Sequence, residues 1–508
     1  MDEPTDENGE VDTTLRSPEE AQDKPELFFA LVGPIGTDLG DVCGFLEHEL
    51  TRFGYIAHTI KLSERLHSLR PYEDLRQLEV DRMKIEKHMD AGDDVRNKMK
   101  HGGALAALSV AEVKRLRAGI NSGSATAYIF RSLKHPDEVR LLREVYGPLL
   151  LVVSVYADES KRRESLELRL ERRTPSTKER DAHALMQRDE AGGEHSLGQD
   201  VRGTFPLADY FLAGDSSVED EVKRFIRLLF GDFTQSPTRK EYAMAMAHIT
   251  ARRSADLSRQ VGAAIMDASG EVLATGCNEV PCPGGGVYWK GDTPDGRDIE
   301  KGKDPNAIMG KEILREIFTA LHAGGYFSQT YQDKGPEALV DEVRNTEVLK
   351  RTRVASLIEF GRVVHAEMNA LSHAARCGIS VEGAKLYCST YPCHVCARHL
   401  LAAGISEVFY IEPYPKSLAE QLYPDAIQHE GEQEHGKFLI FKPFTGVAPV
   451  RYLEWFRFGK RKDGDGFAKK FDPITARPRV TAQNVIHRAL EDKLCANLDT
   501  ALEALEWR

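Results

Sequence analysis

Apolar positions along the chain fall into two regimes, short unbroken runs and longer stretches at helical spacing, and their alternation sets the expected architecture. The run "LFFALV" reads as a buried strand that enters a Gly-Pro-Ile-Gly turn and then an amphipathic helix, as α/β nucleotide-binding domains begin. Further apolar strands are predicted at 125–133, 148–157 and 207–215, with charge-rich helices between them. The pattern predicts a mostly parallel sheet covered by helices over residues 26–235. Two polar stretches, 88–104 and 173–200, are expected to be loops or lids at one end of that sheet.

Turn residues in "GDFTQSPTRKEY", 231–242, mark a domain boundary. The second domain, 236–425, begins with the helix "EYAMAMAHITARRSAD" and a hairpin, "QVGAAIMDASGEVLATGCNEVP", turned at Asp-Ala-Ser-Gly. Residues 284–360 read as an insertion of a Gly- and Asp-rich loop followed by helices. Then come a helix from "HAEMNAL", the strand "AKLYCST", the helix "PCHVCARHLLAAGI" and the strand "EVFYIEPY". That order is an α/β sandwich. Residues 426–508 are expected to form a C-terminal extension packed on this second domain, and the acidic tail 1–25 to be disordered.

Composition narrows the function. Apolar residues make up 41% and charged residues 29% of the 508, and no stretch reaches the roughly 20 apolar residues a membrane helix needs. The first residues carry neither a basic nor an apolar signal region, and the eight cysteines are sparse and irregular, so a cytoplasmic location is expected. A formal net charge of -12 repels a polyanion, which weighs against a dedicated nucleic-acid binder but not against one free nucleotide.

Chemistry concentrates in two short stretches. "HAEMNAL" offers His365 and Glu367; "STYPCHVCARHLLAAGI" offers Cys393 and Cys396 behind Pro392. One imidazole and two thiolates are a zinc-binding set, and three protein ligands leave a fourth position open, as catalytic rather than structural sites do. Residues i and i+2 face nearly opposite sides of a regular helix, so His365 and Glu367 can meet only at a helix start. Pro392 suits the first positions of a helix as well. Two helix N-termini aimed at one ion favour thiolates. Zinc lowers the pKa of water from 15.7 to about 7, and Glu367, a carboxylate outside the ligand set, is the expected proton shuttle. His-x-Glu with Pro-Cys-x-x-Cys is the signature of zinc deaminases that act on C4 of cytosine or C6 of adenine. His373, His394 and His399 are not counted as ligands.

With these motifs, and with "GPIGTDLG", "GQDVRGTFPLADYFL", "ARRSADLSRQVGAAI" and "IEPYPKSLA", the chain resembles the cytidine and deoxycytidylate deaminase superfamily, and within it the anti-phage dCTP deaminases of bacteria. The resemblance implies a P-loop NTPase-like parallel sheet with helices on both faces, followed by a cytidine-deaminase-like α/β/α sandwich. It implies zinc-dependent conversion of dCTP, and of dCMP as a second substrate, to the deoxyuridine nucleotide, which depletes the pool a phage needs. It also implies a homo-oligomer, and it leaves open an RNA or dTTP as effector. Asn278 stands where similar deaminases use an Asn on the nucleoside, and Arg259 and Lys416 are the cations assigned to phosphates. In the P-loop-like domain Gly33, Gly36 and Thr37 are the candidate nucleotide contacts. The turn departs from Gly-x-x-x-x-Gly-Lys-Ser/Thr: after Gly33 the aligned places hold Asp38, Leu39 and Gly40, and the negative charge opposes phosphate. This argues against ordinary kinase activity and leaves a regulatory nucleotide sensor or a scaffold.

Three alternatives compete. A nucleic-acid-editing deaminase shares the zinc chemistry but needs a cationic channel and stacking aromatics, which the acidic balance and three tryptophans disfavour. A housekeeping dCMP deaminase is the second. A non-catalytic protein braced by zinc is the third, and it has no use for Glu367.

Overall fold

The computed structural model describes residues 24–507 except 79–81, 121–123, 171–174, 192–196, 216, 345, 347, 348, 350, 351, 353, 355, 356, 413–416, 431–436 and 481–485. The chain forms two compact units, one of residues 1–238, 412–414 and 445–508, the other of 239–411 and 415–444. Most of the acidic tail lies outside the described residues.

In the first unit the chain runs β1 (Leu27–Val32), α1 (Leu39–Arg52), β2 (Ile56–Lys61), α2 (Arg82–Lys98), α3 (Ala104–Ala118), β3 (Thr126–Leu133), α4 (Pro136–Tyr146), β4 (Leu150–Tyr156), α5 (Glu159–Arg169), α6 (Pro175–Ala191), β5 (Tyr210–Ala213) and α7 (Val218–Leu229). The strands lie in the order β5-β4-β1-β3-β2, all parallel. All six residues of β1 are buried, as a central parallel strand between two neighbours requires. The connections that leave β1 and β3 run in opposite directions across the sheet, so the strand order reverses between them, at the point where open α/β sheets bind ligands. Two expectations are corrected here: the stretches at 88–104 and 173–200 contribute the helices α2 and α6 rather than loops alone. Their buried faces are partly ionic, which hides the helical period. Arg96 of α2 is buried and bonds Glu138 at 2.9 Å, and Asp181 and Asp189 of α6 are buried too.

The second unit contains α8 (Arg239–Ala251), β6 (Gly262–Met266), β7 (Val272–Cys277), α9 (Pro305–Ala323), α10 (Ala366–Arg376), β8 (Lys385–Cys388), α11 (His394–Ala402), β9 (Glu407–Tyr410), β10 (Ile427–His429) and β11 (Leu439–Pro443). Its sheet order is β10-β11-β9-β8-β6-β7, with β6 antiparallel to both neighbours and the other pairs parallel. Small residues on α10, Ala366, Ala370 and Ala374, pack into a core with Ile265, Leu386, Val408 and Phe441. Helix and sheet approach so closely that a Cβ on Gly276 of β7 would lie 2.3 Å from the carbonyl oxygen of Ala366, which is why glycine stands there.

The chain then returns to the first unit through β12 (Gly446–Val447), antiparallel to β5, and ends in α12 (Ile486–Ala504). The expected extension on the second domain is thus divided: β10 and β11 complete the second sheet, whereas 445–508 belong to the first unit. The reason is burial. Trp455 joins the first unit's core, stacking 5.7 Å from Phe225 and 6.4 Å from Tyr210. Arg117 of α3 meets Glu491 of α12 at 2.6 Å and Glu26 at 2.7 Å. Among the described residues no helix is long and apolar enough to cross a membrane.

Candidate metal centre and its cavity

Two helix starts converge in the second unit. His365 is the residue before α10, with φ -64° and ψ 153°, and Cys393 is the residue before α11, with φ -70° and ψ 164°. Both therefore leave extended backbone just as a helix begins, where the N–H groups have no partner within the helix. Cys393 Sγ accepts the N–H of Cys396 at 3.4 Å. His365 Nδ1 lies 3.4 Å from Cys393 Sγ and 3.4 Å from Cys396 Sγ, and the three donor atoms all lie within 4.8 Å of one another.

That spacing fits zinc. With Zn–N near 2.0 Å and Zn–S near 2.3 Å, a tetrahedral ion holds its nitrogen and sulfur donors about 3.5 Å apart. The electrostatics suit a cation as well. A hydrogen bond from Cys396 and a further one with His365 push the Cys393 thiol down to about 4, against its burial. Cys396, donating to Cys393 and buried, is held well above the usual thiol value. The hydrogen bond with Cys393 raises His365 above the usual imidazole value.

Glu367 occupies the first turn of α10, 3% exposed, and burial raises its carboxyl above the ordinary range. It lines a cavity of about 220 Å³ together with His365 and Cys393. Asn369, two residues further along, donates to the carbonyl of Cys277 at 2.8 Å and ties α10 to β7.

The candidate binding residues separate. Asn278 lines the cavity and is buried, and its amide bridges the neighbouring segment, accepting the N–H of Val261 at 2.7 Å and donating to the carbonyl of Arg259 at 2.8 Å. The Arg259 side chain is exposed and stands at the cavity lining. Lys416 lies outside the described residues. Gly33, Gly36 and Thr37 belong to the first unit.

Sequence reasoning missed the rest of the wall. Arg362 lines the cavity, held by Asp298 at 2.6 Å and donating to the carbonyl of Gly296 at 3.0 Å. Asn306, which like Asp298 belongs to the insertion, lines the cavity and donates to the Leu357 carbonyl at 2.7 Å. The insertion is therefore part of the cavity rather than decoration. Tyr391, buried beside Pro392, adds an aromatic face; its place in "STYPC" was the available signal.

Residues 237–412 match the family described as the cytidine and deoxycytidylate deaminase zinc-binding region. ComE operon protein 2 of Bacillus subtilis (strain 168) is 40% identical over 65 residues, 12% of this chain and 34% of that protein, so the match spans about a third of this relative. The deoxycytidylate deaminase of Enterobacteria phage T2 is 28% identical over 176 residues, 34% of this chain and 80% of that protein. A solved dCMP deaminase from the cyanophage S-TIM5, in complex with dCMP and dUMP, is 18% identical and covers 41% of this chain and 98% of its own; its TM-score of 0.22 is too low to carry a fold assignment. Residues 237–412 of the chain thus match the zinc-binding region of cytidine and deoxycytidylate deaminases, and His365, Cys393 and Cys396 all lie within the matched span.

Proposed function

We propose that the second unit deaminates a cytosine deoxynucleotide, dCTP and with it dCMP, to the uracil nucleotide and ammonia, with His365, Cys393 and Cys396 as the zinc ligands. The observation that carries this reading is the buried Glu367 carboxyl lining the same cavity as His365 and Cys393. Zinc held by these donors supplies hydroxide at neutral pH. Glu367 accepts the proton that the attacking water gives up, delivers it to the ring nitrogen and assists departure of the amino group. Its burial favours the protonated form that Glu367 takes on between accepting the water's proton and delivering it to the ring. Tyr391 offers a face to the base, Asn278 its remaining amide capacity to the sugar, and Arg259 a cation at the lining for phosphates.

A free nucleotide is favoured over a nucleic acid because the net charge of -12 repels a polyanion. In cells the expected consequence is depletion of deoxycytidine nucleotides during phage infection, by a cytoplasmic homo-oligomer, with the first unit as a regulatory or scaffolding element responsive to a nucleotide or RNA. Chromatography of purified protein incubated with dCTP, dCMP, CTP and single-stranded DNA tests the substrate. Conversion of dCTP supports the proposal; conversion of dCMP alone supports the housekeeping alternative; conversion of cytosines in DNA alone refutes both.

A further inference from the structure

The point in the first unit's sheet where the strand order reverses holds something the deaminase reading does not use. Crevices at the carboxyl ends of parallel strands, where connections part, are where open α/β sheets bind ligands. The turn from β1 into α1, residues 33–38, stands at the carboxyl end of β1 and runs into the N-terminus of α1, the place where a phosphate loop lies in such sheets. Its backbone requires glycine: Gly36 has φ +89°, and a Cβ there would lie 2.4 Å from the carbonyl oxygen of Arg162. Thr37, 8% exposed, has a buried Oγ1 with no hydrogen-bond partner among the described residues.

What occupies this turn is a carboxylate. Asp189, near the end of α6 and fully buried, accepts the N–H of Ile35 on Oδ2 at 2.7 Å. Its Oδ1 lies 2.8 Å from Nζ of Lys134. Lys134 follows β3, the strand beside β1, and also donates to the carbonyl of Gly33 at 2.8 Å. Asp189 therefore takes one loop N–H and one ammonium, the pair of donors that a phosphate takes in a glycine-rich loop. Asp38 does likewise at the helix start, accepting the N–H of Gly40 at 2.9 Å.

We infer that the Gly33–Asp38 turn is an anion site latched by the chain's own Asp189, which a phosphate group enters only when that carboxylate is withdrawn. The cation is present, but it comes from the end of β3 instead of the loop, and it is already paired. The missing loop lysine is thus only half the departure from a nucleotide-binding loop; an internal anion is the other half. This inference does not depend on the deaminase reading.

Calorimetric titration of the full chain with inorganic phosphate, and separately with ATP, tests it. Wild type is expected to show no saturable phosphate binding at millimolar concentration. Asp189→Ala is expected to bind at least about tenfold more tightly, and Asp189→Ala with Lys134→Met to lose that gain. Any binding of ATP outside this turn is common to all variants and cancels. A gain with phosphate alone assigns a free anion, and a larger gain with ATP assigns a nucleotide. If the alanine variant melts below the assay temperature, Asp189→Asn, of equal shape and no charge, is read in the same way. A folded variant that binds neither probe better than wild type overturns the inference. So does wild-type binding that Lys134→Met abolishes.

Discussion

Replacing Glu367 by glutamine isolates proton transfer from every other property of the site. The side chain is 3% exposed, and its burial raises the carboxyl above its ordinary range, so the folded state gains nothing from a charge there. Glutamine has the same shape, and the expected change in stability is under about 1 kcal/mol. His365, Cys393 and Cys396 keep their spacing, so zinc content is expected to stay at wild-type level. What disappears is an acid–base group. One positioned group contributes about 10² to 10⁴ in rate, and Glu367 is assigned both the proton taken from water and the proton given to the base. The loss therefore belongs at the upper end, about 10⁴, or about 5.5 kcal/mol of barrier. Ammonia release from dCTP and dCMP at saturation, zinc by atomic absorption and the melting curve are measured on one preparation. Turnover within tenfold of wild type with zinc bound refutes the assignment. Loss of zinc together with activity means that Glu367 holds the metal centre and is no shuttle.

Three further outcomes are expected. Gly276→Ala places a methyl group 2.3 Å from the Ala366 carbonyl oxygen, so α10 must move; zinc affinity and turnover fall together, and unchanged zinc affinity speaks against the coupling of β7 to His365. Trp455→Ala removes a ring from the first unit's core and is expected to cost about 3 to 5 kcal/mol in urea unfolding; an unchanged midpoint would place 445–508 outside that core. Glu26 is burdened by burial, but hydrogen bonds from His487 and Arg117 hold its carboxyl below 4.5 in the folded state. Its stabilisation is thus present above pH 4.5 and lost as pH falls through the lower folded value. The stability gap between wild type and Glu26→Gln narrows accordingly on acidification, and a constant gap from pH 7 to 3 contradicts it.

What the sequence discloses depends on how local the cause is. β1, β3 and β4 are legible because central parallel strands need unbroken apolar runs. β2 is not, since "IAHTIK" lies at the sheet edge with only Ile60 buried. α2 hides for another reason: beside Met89, Ala91 and Val95 its buried face carries Asp93 and Arg96, whose pairing leaves no clean apolar stripe. The destination of 445–508 is hidden because adjacency in sequence points to the second unit, whereas Trp455 finds its partners over 200 residues earlier. In the site, ligand chemistry restricts residue types at short range, so His365, Cys393 and Cys396 stand out. Arg362 meeting Asp298 across 64 residues leaves no such trace.

The two motifs also explain why this chemistry requires helix ends rather than helix middles. In a continuous helix His365 and Glu367 would stand about 200° apart around the axis, and one would face away from the other's substrate. Because His365 has ψ 153°, it lies outside the helical rotation and only Glu367 is inside it, so both line one cavity. Cys393 repeats the device with ψ 164°, which leaves Cys396 as the residue inside the helix. Each motif thus contributes one group from before the helix and one from its first turn. An insertion of a single alanine after His365 would rotate Glu367 by about 100° about the axis of α10 while leaving the ligand residues in their own motifs. Such a chain should bind zinc and release no ammonia; retained activity would show that the helix start does not set the geometry.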